Sequence, residues 1–361
     1  MGRFLTGKNL AWHTGRSQAS KRPGMTSGRF LLLPSPRFHG WALLLLGGLA
    51  VRARAADVPP AASPAPAAAA AEADSYPRPA RSWLEAQIFL ARHDFSSGAI
   101  DGVGGSQSTA ALRAYQNSAD LPITGELDPD TRAQLVLKSA ALAPLTIGIA
   151  DLGRLQPLSP TWLGKSQQTA LDYENILELV AERTHASEAL IRRLNPGVDW
   201  TKILPGQVVL APSIVRDGPR GTAARIRILL ADRVLEVLNA DGRIIAHFPV
   251  SIAKNVDKRP VGELHVITVI PNPDYTFDPA LFPESAEAGE IGRKLSLPPG
   301  PRNPVGVAWI GLDRPGYGIH GTPAPEKVGR TESHGCFRLA NWDALAMLDF
   351  AYDGLVVSVE P

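Results

Sequence analysis

Cysteine is all but missing from this 361-residue chain, Cys336 being the single one. It has no partner in the chain for a disulfide, and the thiolate clusters of structural zinc sites are excluded with it. Excess charge of one sign is missing too: the formal net charge is +2, without the basic stripe by which proteins grip nucleic acid. The apolar run from Trp41 to Val51 falls short of the ~20 residues that carry a helix across a bilayer. Aromatic residues are sparse at 6%, whereas proline (32) and glycine (33) abound, which argues for short strands and many turns rather than a helical bundle. His93, His185, His247 and His265 stand at no metal-ligand spacing, and neither a metal nor another cofactor is expected. With 44% apolar residues the chain can bury more than one core, and its length fits two or three domains.

What is present divides the chain. Residues 1–40 hold Arg3, Lys8, Arg16, Lys21, Arg22, Arg29 and Arg37 and no acidic residue. The apolar run follows, then Ala53-Arg54-Ala55, and together these describe a secretory signal peptide over residues 1–55. No cysteine lies at the cleavage site for a lipid anchor, and Met25 offers a second translation start. Residues 56–80 are rich in Ala and Pro and are expected to form an extended linker.

From 81 to 139 apolar residues recur at helical spacing. Trp83, Ile88, Leu90 and Ala91 mark a first helix, and Ala111, Leu112 and Tyr115 a second with Ser106 or Ser108 as its cap. A third is capped by Asp128 with Pro129 at its first position, where proline is preferred. Residues 140–165 show no clear period. Over 166–213 two helices (Ile176, Leu177, Leu179 and Val180; Leu190, Ile191 and Leu194) precede an Asn195-Pro196-Gly197 stop and a strand at Val208 to Pro212. Beyond, RIRILLA, VLEVLN and RIIAHFPVSIA alternate at period two around an Ala240-Asp241-Gly242 turn, and ELHVITVI, VGVAWIGL and LVVSVE add strands. Asn272 to Gly300 is too long and turn-rich for a tight connection and is predicted to be a lid or groove wall. Asn341 is expected to cap a final helix.

The chemistry gathers near the C-terminus. His334 stands two positions before Cys336, and His320 336 − 320 = 16 before it. An imidazole nearby is the usual means of activating a thiol near neutral pH. The Gly-, Pro-, Ser- and Thr-rich segment between them can fold back to bring His320 against the sulfur. Gly335 permits close backbone approach and leaves two N–H groups to face a developing oxyanion. On residue types alone, a single cysteine is as readily a small buried hydrophobe.

GYGIHGT, then a loop, then SHGCFRLAN resembles the signature of the L,D-transpeptidase catalytic domain, the YkuD-like family. LPPGPRNPVGVAWIGL resembles that family's lead-in to the histidine, and KRPVGELHV its TPxG segment, with Arg259 where threonine is common. The resemblance covers residues 223–360 and implies a mainly-β YkuD-like sandwich. It further implies that Cys336 attacks the carbonyl joining the third and fourth residues of a peptidoglycan stem peptide, releases terminal D-Ala and holds the remainder as a thioester for an amine to resolve. By the same resemblance His320 is the proton acceptor and donor, and the Gly321 carbonyl fixes its tautomer. His334, Gly335 and Cys336 form the oxyanion turn, His334 being alternatively a substrate contact. Ser333 is expected to cap that turn, Arg338 to meet a substrate carboxylate or else an internal acid, and Tyr275 to line the donor groove.

Residues 81–139, with Asp101, Gly102, Gly125 and Thr131 at the turns, resemble the small three-helix peptidoglycan-binding domain. Residues 166–213, with Leu204-Pro205-Gly206-Gln207 before the strand, resemble an α+β LysM module, although Tyr173-Glu174-Asn175-Ile176 replaces the usual Gly-Asp-Thr-Leu. The expected whole is an exported multidomain cysteine acyltransferase of the periplasm or cell wall. Its partners would be stem peptides, glycan and an amine acceptor, a wall-attached protein included, with no nucleic acid and no membrane span after signal cleavage. It needs no cofactor, because the energy of the cleaved amide is kept in the thioester. A hydrolytic L,D-carboxypeptidase and a non-catalytic wall-binding protein are the alternatives.

Overall fold

A computed structural model describes residues 75–282, 285–330 and 335–361. The expected signal peptide, most of the linker, Ser333 and His334 lie outside these.

The first part comprises β1 (Arg78–Pro79), α1 (Trp83–Arg92), α2 (Ser106–Ser118), α3 (Pro129–Gln134) and β2 (Val136–Leu137). β1 pairs antiparallel with β2, so the end of the stretch expected to be linker is sheet: tertiary pairing overrides its Ala/Pro composition. Ser82 caps α1 by accepting from Glu85 N–H, and Asp128 caps α3 by accepting from Thr131 N–H, with Pro129 following as predicted. At α2 neither serine is the cap. Gly105 holds that position, and Ser108 is buried, its hydroxyl accepting from Gln87 Nε2 at 2.9 Å.

The second part comprises β3 (Leu142–Thr146), α4 (Ile149–Gly153), α5 (Trp162–Ser166), α6 (Ile176–Arg183), α7 (Glu188–Leu194) and β4 (Val208–Pro212). β3 pairs antiparallel with β4, so a strand from before residue 166 joins the one predicted at Val208 to Pro212. Its first strand comes from the stretch without a period because Pro144 interrupts the alternation; a two-stranded sheet is all edge, where proline is tolerated.

The third part holds β5 (Arg225–Leu229), β6 (Val234–Leu238), β7 (Ile244–Pro249), β8 (Gly262–Pro271), β9 (Tyr275–Phe277), α8 (Ala286–Ile291), β10 (Leu295–Leu297), β11 (Ala308–Leu312), β12 (Gly318–His320), β13 (Phe337–Arg338), α9 (Asn341–Met347) and β14 (Val356–Glu360). Eight strands form one sheet in the order β13-β12-β11-β8-β14-β5-β6-β7. Just beyond β7, Ser251 exchanges both backbone hydrogen bonds with Arg338 of β13, at 2.9 and 3.0 Å. The two edges of the sheet therefore meet. This is a single curled sheet rather than the expected sandwich, with Ile226, Leu235, Phe248, Ile319, Phe337 and Met347 of α9 in its core.

The parts are stitched together. Residues 94–96 run along β7, His247 N–H donating to Asp94 O and Ser96 N–H to His247 O, both at 2.8 Å; the helical part thus covers an edge strand that would otherwise expose unpaired backbone. Gln107 of α2 donates to Val328 O at 2.8 Å, in the loop between His320 and Cys336. Asn341 is not the cap of α9, which is Ala340. Its buried side chain instead donates to both oxygens of Glu182 on α6, at 3.1 Å each, and to Pro301 O at 3.0 Å.

Candidate active site

β12 and β13 are parallel neighbours in the register Ile319↔Phe337 and His320↔Arg338. Side chains alternate along a strand, so His320 and Arg338 share a face, and Cys336, one residue before β13, falls on that face too. Two register positions on adjacent strands separate His320 from Cys336. Sheet geometry sets such diagonal neighbours roughly 7–8 Å apart at the backbone, within reach for an imidazole. Opposite Cys336 the register places Gly318. A Cβ there would stand 2.7 Å from the Trp309 ring, so only glycine leaves room for the indole.

His320 is 4% exposed. Its Nδ1 lies 2.6 Å from Gly321 O, an acceptor only, so Nδ1 carries the proton and Nε2 keeps its lone pair. Trp309, its register partner on β11, stacks on the ring at 5.7 Å. Burial pushes the imidazole down to about 4, opposed by the Gly321 carbonyl and reinforced by Arg338. The half-buried Cys336 donates from Sγ to Gly316 O at 3.4 Å. Burial pushes this thiol above its ordinary value, against the Gly318 N–H and the Arg338 charge, which favour the thiolate. At neutral pH the thiol and the imidazole therefore both rest uncharged. Such a pair can move the proton as the sulfur attacks, with no standing thiolate–imidazolium pair required.

Arg338 is half-buried, and among the described residues no carboxylate pairs with it; its charge acts on Cys336 and Tyr275. Tyr275 of β9 is pushed up by burial and next by the charge of a Cys336 thiolate, with Arg338 opposing. Gly335 faces the ring of Tyr317. Cys336, His320, Gly321, Gly335, Arg338 and Tyr275 thus converge. Gly316, Gly318 and Trp309 also shape the site and were not singled out from sequence; the one signal for them was a tryptophan flanked by Gly311 and Gly318 on paired strands. Among the described residues no cluster of His, Cys, Asp or Glu could hold a metal ion.

The buried titratable groups set how stability varies with pH. Burial holds folded His320 below its unfolded value of 6.5, so its contribution is present above that value and is lost as pH falls toward 4. Two groups behind the site do the reverse. Burial raises Glu182, bonded to Asn341 and Tyr173, to about 7 and Asp343, which accepts from Ser96, to about 8. Their contribution is present at acid pH, below their unfolded values, and is lost as pH rises through 7 and 8. Above about pH 6.5, where His320 no longer offsets the two carboxyls, thermal stability is expected to fall up to about pH 8. In calorimetric melts, Glu182→Gln should remove the part of the pH dependence that lies between its unfolded value, near 4.5, and about 7.

Residues 223–359 match the family model YkuD, the L,D-transpeptidase catalytic domain, and residues 80–135 match that of a peptidoglycan binding domain. A Bacillus licheniformis protein named as an L,D-transpeptidase, YkuD, is 26% identical over 185 residues, 51% of this chain and 93% of its own length. One from Salmonella typhimurium, named as the L,D-transpeptidase ErfK/SrfK, is 28% identical over 57% of this chain and 66% of its own length. Among solved structures, the L,D-transpeptidase (residues 123–326) of Xylanimonas cellulosilytica aligns over 80% of this chain and 99% of its own at 16% identity, with a TM-score of 0.30. Among the described residues no helix is long and apolar enough to cross a membrane. On the two family matches, residues 223–359 are an L,D-transpeptidase catalytic domain of the YkuD family, preceded in the chain by a peptidoglycan-binding domain at residues 80–135.

Proposed function

We propose that the protein is an exported L,D-transpeptidase that cross-links peptidoglycan stems through a thioester on Cys336. The observation that carries this reading is the placing of Cys336 and His320 on one face of adjacent strands, with Nδ1 of the ring committed to Gly321 O at 2.6 Å. As Sγ bonds to the donor carbonyl carbon, Nε2 accepts the thiol proton and then gives it to the departing D-Ala amine. The N–H groups of Gly335 and Cys336 stabilise the oxyanion. Arg338 takes the substrate carboxylate, a role favoured by its lack of an acidic partner among the described residues, and Tyr275 covers the donor stem. An amine of a second stem, or of a wall-attached protein, then attacks the thioester. Its proton passes to Nε2 and on to the departing sulfur.

The helical domain and the LysM-like module hold the enzyme on its polymer, each adding effective concentration to the other, and the N-terminal signal delivers it to the periplasm or wall. Purified protein incubated with tetrapeptide-stem muropeptides should yield cross-linked dimers one D-Ala lighter than the sum of the two monomers, read by mass spectrometry. Trimmed monomers alone would make it an L,D-carboxypeptidase, and unchanged substrate a wall-binding protein.

A further inference from the structure

The lid strand that carries Tyr275 is not held by its own domain alone. β9 and β10 have three residues each and pair only with one another, and a hairpin that short is not stable unsupported. Its apolar core is completed from the second part of the chain, by the excursion between α4 and α6 that contains α5. Leu171 of that excursion is fully buried in one cluster with Phe277, Leu295 and Leu297. Trp162 stacks on Phe277 with ring centroids 4.4 Å apart and planes 13° from parallel. Leu163 N–H donates to Glu287 Oε1 at 3.0 Å. Leu171 bonds through its backbone to Pro299 O and Arg302 N, both at 2.9 Å. Gly300 lets these two chains approach, since a Cβ there would stand 2.2 Å from Leu171 O. Phe277 and Tyr275 are two residues apart on the same face of β9. Tyr275 packs against the same cluster, and it stands five residues past Ile270, which lies in one register row with Trp309, His320 and Arg338.

We propose that Trp162 is a positioning residue: through Phe277, the α5 excursion sets where Tyr275 stands over Cys336 and so sets the width of the donor groove. The role of that width in substrate selection rests on reading the groove as the stem-peptide site. Without the excursion, the apolar neighbours left to the hairpin in this cluster are Phe282, Ala288 and Ile291 of its own domain, so loosening it opens the groove without touching the thiol.

The test uses the full chain with Trp162→Ala, Trp162→Phe, Tyr275→Ala and the Trp162→Ala/Tyr275→Ala double variant. Two readouts are taken: steady-state kinetics on a stem tetrapeptide, and alkylation of Cys336 by iodoacetamide and by the bulkier pyrenyl maleimide. In Trp162→Ala the KM should rise about tenfold with kcat held within about twofold, and the rate ratio of bulky to small reagent should rise about tenfold. Trp162→Phe should restore most of both, and the double variant should be no worse than Tyr275→Ala, as expected when one residue acts through the other. Unchanged KM and reagent ratio in Trp162→Ala, effects that add in the double variant, or an equal change with both reagents would each overturn the proposal. Should the wild type leave the tetrapeptide untouched, the substrate reading fails, while the reagent ratio still decides the positioning role.

Discussion

Cys336→Ala leaves no measurable cross-linked or trimmed stem-peptide product, a loss of about 10⁴-fold or more, while the protein still binds isolated wall and melts at nearly the wild-type temperature. The chain has no second cysteine to substitute, and the covalent route splits one difficult acyl transfer into two easier ones that alanine cannot support. Stability should change little because the thiol is only half-buried and its hydrogen bond to Gly316 O is long, at 3.4 Å. A carbapenem should add covalently to the wild type and not to the variant. Product formation by Cys336→Ala, measured by the same mass spectrometry, would remove the nucleophile from the account.

His320→Gln is the second large effect. Without a proton acceptor the attack has to form a thiolate unaided at a sulfur whose burial disfavours it, and acylation should slow by about 10²–10⁴-fold. The pH dependence carries more information than the size of the loss. Burial keeps the His320 ring neutral down to about 4, and only the neutral ring can accept the proton. Acylation in the wild type should therefore hold from pH 7 to about 5 and fall as pH drops through about 4. An acid limb near the ordinary histidine value would mean that solvent reaches the ring as the site works.

Local features of this fold were plain in the sequence, because they depend on neighbours a few residues away. Asp128-Pro129 starts α3 as its residue types require. The alternation in RIRILLA, VLEVLN and RIIAHFPVSIA became β5, β6 and β7. The segments GYGIHGT and SHGCFRLAN carried the family resemblance before any strand was placed. What sequence did not show depends on partners far along the chain. Asn341 has the right chemistry for a cap, yet its amide is drawn to Glu182 and Pro301, and nothing in its neighbourhood announces a buried carboxylate from another module. Ser251 and Arg338 close the sheet through backbone atoms that carry no residue-type signal. Trp162 lay in a stretch without periodicity, and its partner Phe277 in what could be seen only as a long turn-rich connection. Gly318 is the missed residue nearest the chemistry: its lack of a side chain shows its purpose only once Trp309 is seen lying over it.

The most direct measurement is intact-protein mass spectrometry of wild type quenched in acid during turnover with a tetrapeptide stem, followed by peptide mapping. The expected result is a mass increase equal to the stem acyl group without D-Ala, confined to the peptide containing Cys336 and removed by hydroxylamine. Product accumulating with no acyl group on that peptide at any time would contradict the account.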